Sequence, residues 1–571
     1  MRKIFLSLLL IAEIAIRMEA QSVSINTDGS NPDASSILDI KSSGKGLLIP
    51  RMNSGQRTAI SSPATGLMVF DTTSKTFWYF NGAGWANISA GWSLGGNSGT
   101  NSATQFIGTL DNLPLLVRTN GELSGQVGPM LNNNTSWGYR ALKNNNGGYE
   151  NVAIGFQSMF SNVTGGTNTA VGSASLYFNT SGFNNSAIGY ASMAFNTTGS
   201  ANTANGAYAL YGNTTGSNNT AVGYGAMTSN STGGSNTSLG HYSLSYNTTG
   251  GDNVAIGYYS MQLNTTGNEN TAIGTVALLS NGIGSRNTAT GKYAMYQNTN
   301  GSDNASYGYG AMANNTEGNW NTAVGGVAMS RNITGTFNTT TGYESLFNNV
   351  SGSHNTASGS YALLNTTSGS SNTSFGDNSM TANATGNFNT ALGADAETTA
   401  GDLTNATAIG YNAVVNASNK VRIGNAAVTV IEGQVPFTSP SDGRFKYNVK
   451  DDVKGLDFIL QLRPVTYQFD VKKFDAQLHR NQKDYKEDNI MQASLDKASA
   501  IRRTGFIAQE VEQAATKTGY DFSGIVKPQS ENDHYSLSYE SFVVPLVKAV
   551  QEQQKIIEEL KKRIEVLEKN K

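Results

Sequence analysis

Between residues 131 and 415 the hydrophobic positions follow neither a helical nor a simple alternating pattern but a period of seventeen. A large apolar residue returns as Met159, Leu176, Met193, Leu210, Met227, Leu244 and Met261, each four places after a glycine. Those glycines stand at 138, 155, 172, 189, 206, 223, 240, 257, 274, 291, 308, 325, 342, 359, 376, 393 and 410, without an insertion or deletion. A second glycine register runs from Gly148 to Gly386, and an asparagine register from Asn151 to Asn389. Self-similarity of this kind marks a solenoid, in which each coil buries its apolar side only against its neighbours.

Composition within the unit decides strand against helix. Two or three glycines per seventeen residues, with Asn-Thr-Thr-Gly clusters, disfavour a helix, because Gly and Asn prefer turns and left-handed backbone. A short strand such as Ala-Val-Gly-Tyr, residues 221–224, bounded by those clusters fits well. The residue before each glycine, such as Ile154 or Val171, has the opposite parity to the Met or Leu beyond it. Both reach one interior only if the chain turns a corner, so two short strands per coil are expected. Asn205, Thr290, Thr341 or Ser358 in the pre-glycine place makes that place only partly buried. Stacked asparagines are expected to form amide ladders along the axis. The sixteen intervals from Gly138 to Gly410, at about 4.8 Å per coil, give a rod of roughly 75 Å.

The flanks differ from the repeat. Residues 1–20 open with Arg2 and Lys3 ahead of an apolar run from Ile4 to Ala12, the form of a secretory signal. That implies a secreted or cell-surface protein, and no later segment has the roughly 18 apolar residues of a membrane span. Residues 21–130 form a β-rich module with a hairpin-type turn at Asn81 and Gly82. Its Trp78, Tyr79, Phe80 and Trp85 are expected in a core rather than a sugar platform. Residues 416–441 form a linker. From Asp442 to Lys571 the chain holds 22 of its 38 Lys and Arg and 21 of its 40 Asp and Glu, a change that marks a domain boundary. The last segment, 543–569, supports a heptad with Val543, Val550, Ile557 and Ile564 at one seam position and Leu546, Gln553, Leu560 and Leu567 at the other. A coiled coil follows.

The expected fold is mainly β: a parallel β-solenoid or β-roll stalk with a C-terminal α+β domain ending in a coiled coil. A chain of 571 residues with 64 Gly and only 10 Pro suits this extended repeat better than a Pro-rich disordered tract. A net charge of −2 gives no basic field for nucleic acid. Four histidines and no cysteine make a soft-metal site improbable, and no metal or cofactor is expected. Sparse acidic residues in the repeat give no pair for polysaccharide hydrolysis.

The segments NTAVG, NVAIG and NTAIG resemble the head repeats of trimeric autotransporter adhesins, which form β-rolls from three chains side by side. The C-terminal pattern SDGRFKYNV, LRPVTYQF, RRTGFIAQEVE and YSLSYESFVVPLVKAVQEQ resembles the endosialidase-type intramolecular chaperone, the auto-processing serine peptidase domain of phage tailspikes and tail fibres. That resemblance implies a homotrimer, a domain that assists folding of the stalk, and self-cleavage at its own N-terminal boundary. Carried over, Ser441 and Lys446 are the catalytic pair, the bond between Ser441 and Asp442 is cut, and Arg444 supports the motif.

Elementary chemistry makes the pair plausible but incomplete. A serine hydroxyl needs a base, and a lysine serves as one only when burial or nearby cations favour its neutral form. Arg444 is a candidate for that cationic influence. Attack by Ser441 on its own carbonyl would close a four-membered ring, which leaves attack from another chain or help from the Asp442 carboxylate. The bland alternative is that Ser441 and Asp442 cap a turn while Arg444 and Lys446 lie in solvent. The competing functional reading is a surface adhesin, with a cell-surface or glycan target, that keeps its C-terminal domain as a permanent clasp.

Overall fold

The computed structural model describes residues 22–88, 107–128, 132–435, 437–480, 489–531 and 533–570; the expected signal segment lies outside them. The chain divides between Gly108 and Thr109 into two compact units.

In the first unit, four strands pair in the order Arg51–Met52, Met68–Asp71, Thr76–Phe80 and Trp85–Asn87. The turn at Asn81 joins the last two, its side-chain oxygen accepting from the backbone N–H groups of Ala83 and Gly84. Asn53 and Gln56 form a capping box on the helix Ser54–Thr58. This helix sets Arg57 on the buried Asp71 carboxylate at 2.9 Å and 3.6 Å over the Trp78 ring. One face of Trp78 is thereby covered, and the aromatic strand is half-buried in alternation rather than a full core.

The second unit opens with the antiparallel hairpin Leu115–Thr119 and Glu122–Val127, which pairs with Thr135–Trp137. From there three-residue strands pair in parallel, coil on coil, as in Thr169–Val171 on Ser186–Ile188. The ladder ends at Val421–Ile423, where a shorter coil sets Val421 against Thr407. Pairing thus reaches past residues 131–415 at both ends, because the hairpin and the last strand have ladder geometry without the glycine register.

Through most of the ladder each coil has one strand, not the two expected; a second strand pair, Glu397–Thr398 on Val414–Val415, forms only in the last coils. The pre-glycine residue faces outward, with Ile154 and Ile188 40% and 42% exposed, so no second strand is needed to bring it inside. The inward residue is the small one before it, as Ala170 or Ala187, both fully buried. After the glycine the chain turns through left-handed residues, Ala174 at φ 55° and Leu176 at φ 49°, which bring the Met or Leu into the core. The glycine allows the close stacking: a Cβ on Gly155, at φ 132°, would stand 2.4 Å from the Gly172 carbonyl oxygen.

The interior is narrow, with one column of Met and Leu, columns of Ala and Ser, and two asparagine ladders. In the expected ladder, Asn151 Nδ2 donates to Asn134 Oδ1 at 3.0 Å and to the Gly165 carbonyl at 2.8 Å. A second ladder starts at Asn145, with Asn162 Nδ2 donating to Asn145 Oδ1 at 2.8 Å. Near the C-terminal end Glu397 replaces the Met of the column. Its buried carboxylate accepts from Thr381 N–H at 2.7 Å, the Thr381 hydroxyl at 2.6 Å and Thr398 N–H at 2.8 Å. It stands in for the carbonyls a further regular coil would offer, and burial pushes it up to about 7 against those donors.

Outside, the strand face is a stripe of Thr and mostly aliphatic residues, with Trp137, Tyr307 and Phe375 among them. From Thr135 to Ile409 neither outward strand row contains Asp, Glu, Lys or Arg. Aromatic rows elsewhere stack ring on ring, as Trp320, Phe337 and His354 do at 4.8 and 5.0 Å, so their faces are used by one another.

The C-terminal module pairs Val465–Gln468 antiparallel with Arg502–Gly505. Phe458, Val511, Phe522 and Phe542 form its core with the helices Leu456–Ile459 and Ala508–Thr518. The last helix, Val543–Lys569, anchors its start there, Glu552 accepting from Leu456 N–H at 2.7 Å. Its seam residues Val550, Ile557, Leu560 and Ile564 remain 40–57% exposed in the single chain. No helix among the described residues is long and apolar enough to cross a membrane.

Candidate functional site

The boundary segment forms a short turn. Asp442 caps the 3-10 helix Gly443–Phe445 and accepts from Arg444 N–H at 2.9 Å. The turn folds Lys446 back so that its Nζ donates to Ser441 Oγ at 2.7 Å. The two residues expected to act together are therefore in contact. Asp442 and Arg444 form a separate pair, with Arg444 Nε and Nη2 2.9 and 2.5 Å from Asp442 Oδ2. The Arg444 guanidinium holds the Asp442 carboxyl below its usual range.

This pairing alters the expected role of Arg444. Its charge is offset by Asp442 and is not left to act on Lys446. The capping alternative is realised at Asp442, yet Lys446 is not simply solvated, since it meets Ser441. All four residues are exposed in the single chain. Around them Val435, Phe437, Phe445, Tyr447 and Val449 are 74–86% exposed, an unusual density of apolar surface beside a charged turn.

Sequence reasoning missed the contacts that seat this module on the ladder. Asn412 meets His479 at 2.7 Å, and Lys420 meets the Asp533 carboxylate at 2.9 Å. Burial alone would raise the Asp533 carboxyl; Lys420 and the N–H groups of Gln529 and His534 outweigh it and hold it low. Burial, aided by Lys420, pushes His534 down to about 4. No spacing in the sequence announces these pairs. The second asparagine ladder was missed too, but it has a signal, since Asn162, Asn179 and Asn196 recur at the same period.

No curated protein gives a match to the chain. Two family models do: residues 24–104 match the phage tail like trimerisation region, and residues 441–520 match the chaperone of endosialidase. The second match begins at Ser441 and contains the whole turn with Lys446. The chain thus carries a phage-tail-like trimerisation region near its N-terminus and, beyond the ladder, an endosialidase-chaperone domain that opens on the Ser441 turn.

Proposed function

We propose that the chain is an exported fibre or adhesin of three parallel copies, whose C-terminal module aligns the chains during folding and then separates itself by cutting between Ser441 and Asp442. The observation that carries this reading is the Ser441 and Lys446 contact at the first residues of the matched chaperone domain. A parallel solenoid slipped by one coil keeps nearly every contact, so identical rods have many near-equivalent registers. A module that joins three C-terminal ends removes those choices, and its later loss traps the assembled rod.

The chemistry needs neighbouring chains. Asp442 is engaged by Arg444, which favours Ser441 Oγ of one chain attacking the Ser441 carbonyl of another. Neutral Lys446 would take the hydroxyl proton, reversing the direction of the hydrogen bond. The new ester forms as the bond to the Asp442 nitrogen breaks and that nitrogen is protonated; water then hydrolyses the ester. A lysine base requires desolvation, and the exposed Phe437, Phe445 and Tyr447 supply apolar surface that packing of three chains would bring over it.

The competing reading, a permanent clasp on a surface adhesin, is favoured by the exposure of the pair and by Asp442 serving as a cap. Intact mass and N-terminal sequencing of the wild-type chain beside Ser441→Ala and Lys446→Met distinguish them. Self-cleavage requires a fragment beginning at Asp442 in wild type alone. Full-length chains in all three support the clasp.

A further inference from the structure

The peptide bond proposed to be cut lies in an exposed segment, beyond the buried residues that seat the module on the ladder. Every described residue in 428–452 is exposed. The last coil, by contrast, is embedded in the module. Asn412 and His479, hydrogen-bonded at 2.7 Å, are both buried. Lys420 Nζ donates to Asp533 Oδ1 and to Asn416 Oδ1, each at 2.9 Å, and Asn416 reaches His534 at 3.2 Å. Beside this polar row Ala426 and Ala427 pack on Val471, Met491, Leu495 and Ala498. The Asp533 side chain is only 2% exposed, so parting the surfaces would strip a buried charge of its partner. Val421–Ile423 is also the last strand of a long parallel ladder, and an open edge of that kind recruits other chains unless it is covered.

We propose that the C-terminal module stays docked on the last coil after the chain is cut, as a non-covalent end cap on the rod. Cutting then removes the covalent tether without removing the cap, and release becomes a separate, slower step. The inference builds on the reading of Ser441 as the point of separation, but its test does not depend on self-cleavage.

In the full-length chain carrying Ser441→Ala, a site-specific protease sequence replaces residues 432–438, and added protease makes the cut. The two fragments are expected to elute together from size exclusion at physiological salt. Lys420→Gln with Asp533→Asn in the same background is expected to speed their dissociation at least tenfold. Prompt separation of the parent fragments, or an unchanged rate in the double variant, overturns the proposal. If the double variant does not fold, hydrogen exchange on the cut parent decides: amide protection at Val421–Ile423 that survives cutting supports the cap, and protection lost on cutting refutes it. An uncut wild-type chain would sink the self-cleavage reading and leave this result standing.

Discussion

Asn168 takes its place in the ladder through Asn151: its backbone N–H and its Nδ2 both donate to Asn151 Oδ1, at 3.0 and 3.1 Å, while Nδ2 also reaches the Gly182 carbonyl at 2.9 Å. Each asparagine is thus donor to one coil and acceptor for the next, and both side chains are fully buried. In the middle of the ladder Asn253→Ala removes donors to Asn236 Oδ1 and the Gly267 carbonyl and an acceptor for Asn270. Asn236 Oδ1 keeps the Asn253 N–H and the Gly267 carbonyl keeps Asn264 Nδ2, so the orphaned group is the Asn270 N–H, at a cost of about 1–3 kcal/mol. Urea denaturation should show a clear fall in the unfolding midpoint. A midpoint equal to the parent's would mean that packing of the Met and Leu column, not the amides, holds the coils.

The charge-free strand face separates assembly from folding. Val324 is 38% exposed in the single chain, and a surface substitution there should change the stability of one coil by no more than about 0.5 kcal/mol. If the stripe packs against neighbouring copies, Val324→Lys combined with Ile273→Lys buries unpaired charge. Sedimentation should then show loss of the trimer with the circular dichroism spectrum retained. A trimer of unchanged mass would place the chain contacts elsewhere.

Glu397 should give stability a falling slope at mildly acidic to neutral pH. Its carboxyl is raised from 4.5 to about 7, so the unfolded chain releases its proton first. Stability present below 4.5 is lost as pH rises through 7, by about 3 kcal/mol at most. Glu397→Gln should flatten that slope in denaturation curves across the window; an unchanged slope would mean that the donors from Thr381 and Thr398 keep the group ionised.

His534 acts with the opposite sign. Its depressed value, about 4 against 6.5, means that acid protonates the unfolded chain first. Stability is full above 6.5 and falls by up to about 3 kcal/mol as pH drops to 4. The loss belongs to the seam with Lys420 and Asp533, so hydrogen exchange at residues 412–423 should rise on acidification before exchange in the middle of the ladder. Simultaneous loss in both regions would contradict that assignment.

Much of this was legible in the sequence because a solenoid writes its geometry as a period. Gly155, Met159 and Asn151 each recur at seventeen, since a residue that stacks on its equivalent in the next coil has to return once per coil. The error lay in orientation. An apolar Ile154 points to a partly buried place turned inward by a second strand, whereas the narrow coil admits only Ala153 and leaves Ile154 40% exposed on the outside. The Ser441 and Lys446 contact was legible through a motif, because a turn brings residues five apart together. The seam of Asn412, His479, Lys420 and Asp533 was not, for these groups lie 67 and 113 residues apart and meet only when the module docks on the last coil.

Native mass spectrometry of the purified wild-type protein tests the central claim most directly. A complex built of three rods ending at Ser441, together with fragments beginning at Asp442 whether bound or free, is the outcome expected of a self-cutting trimer chaperone. A single uncut chain, alone and unassociated, would contradict it.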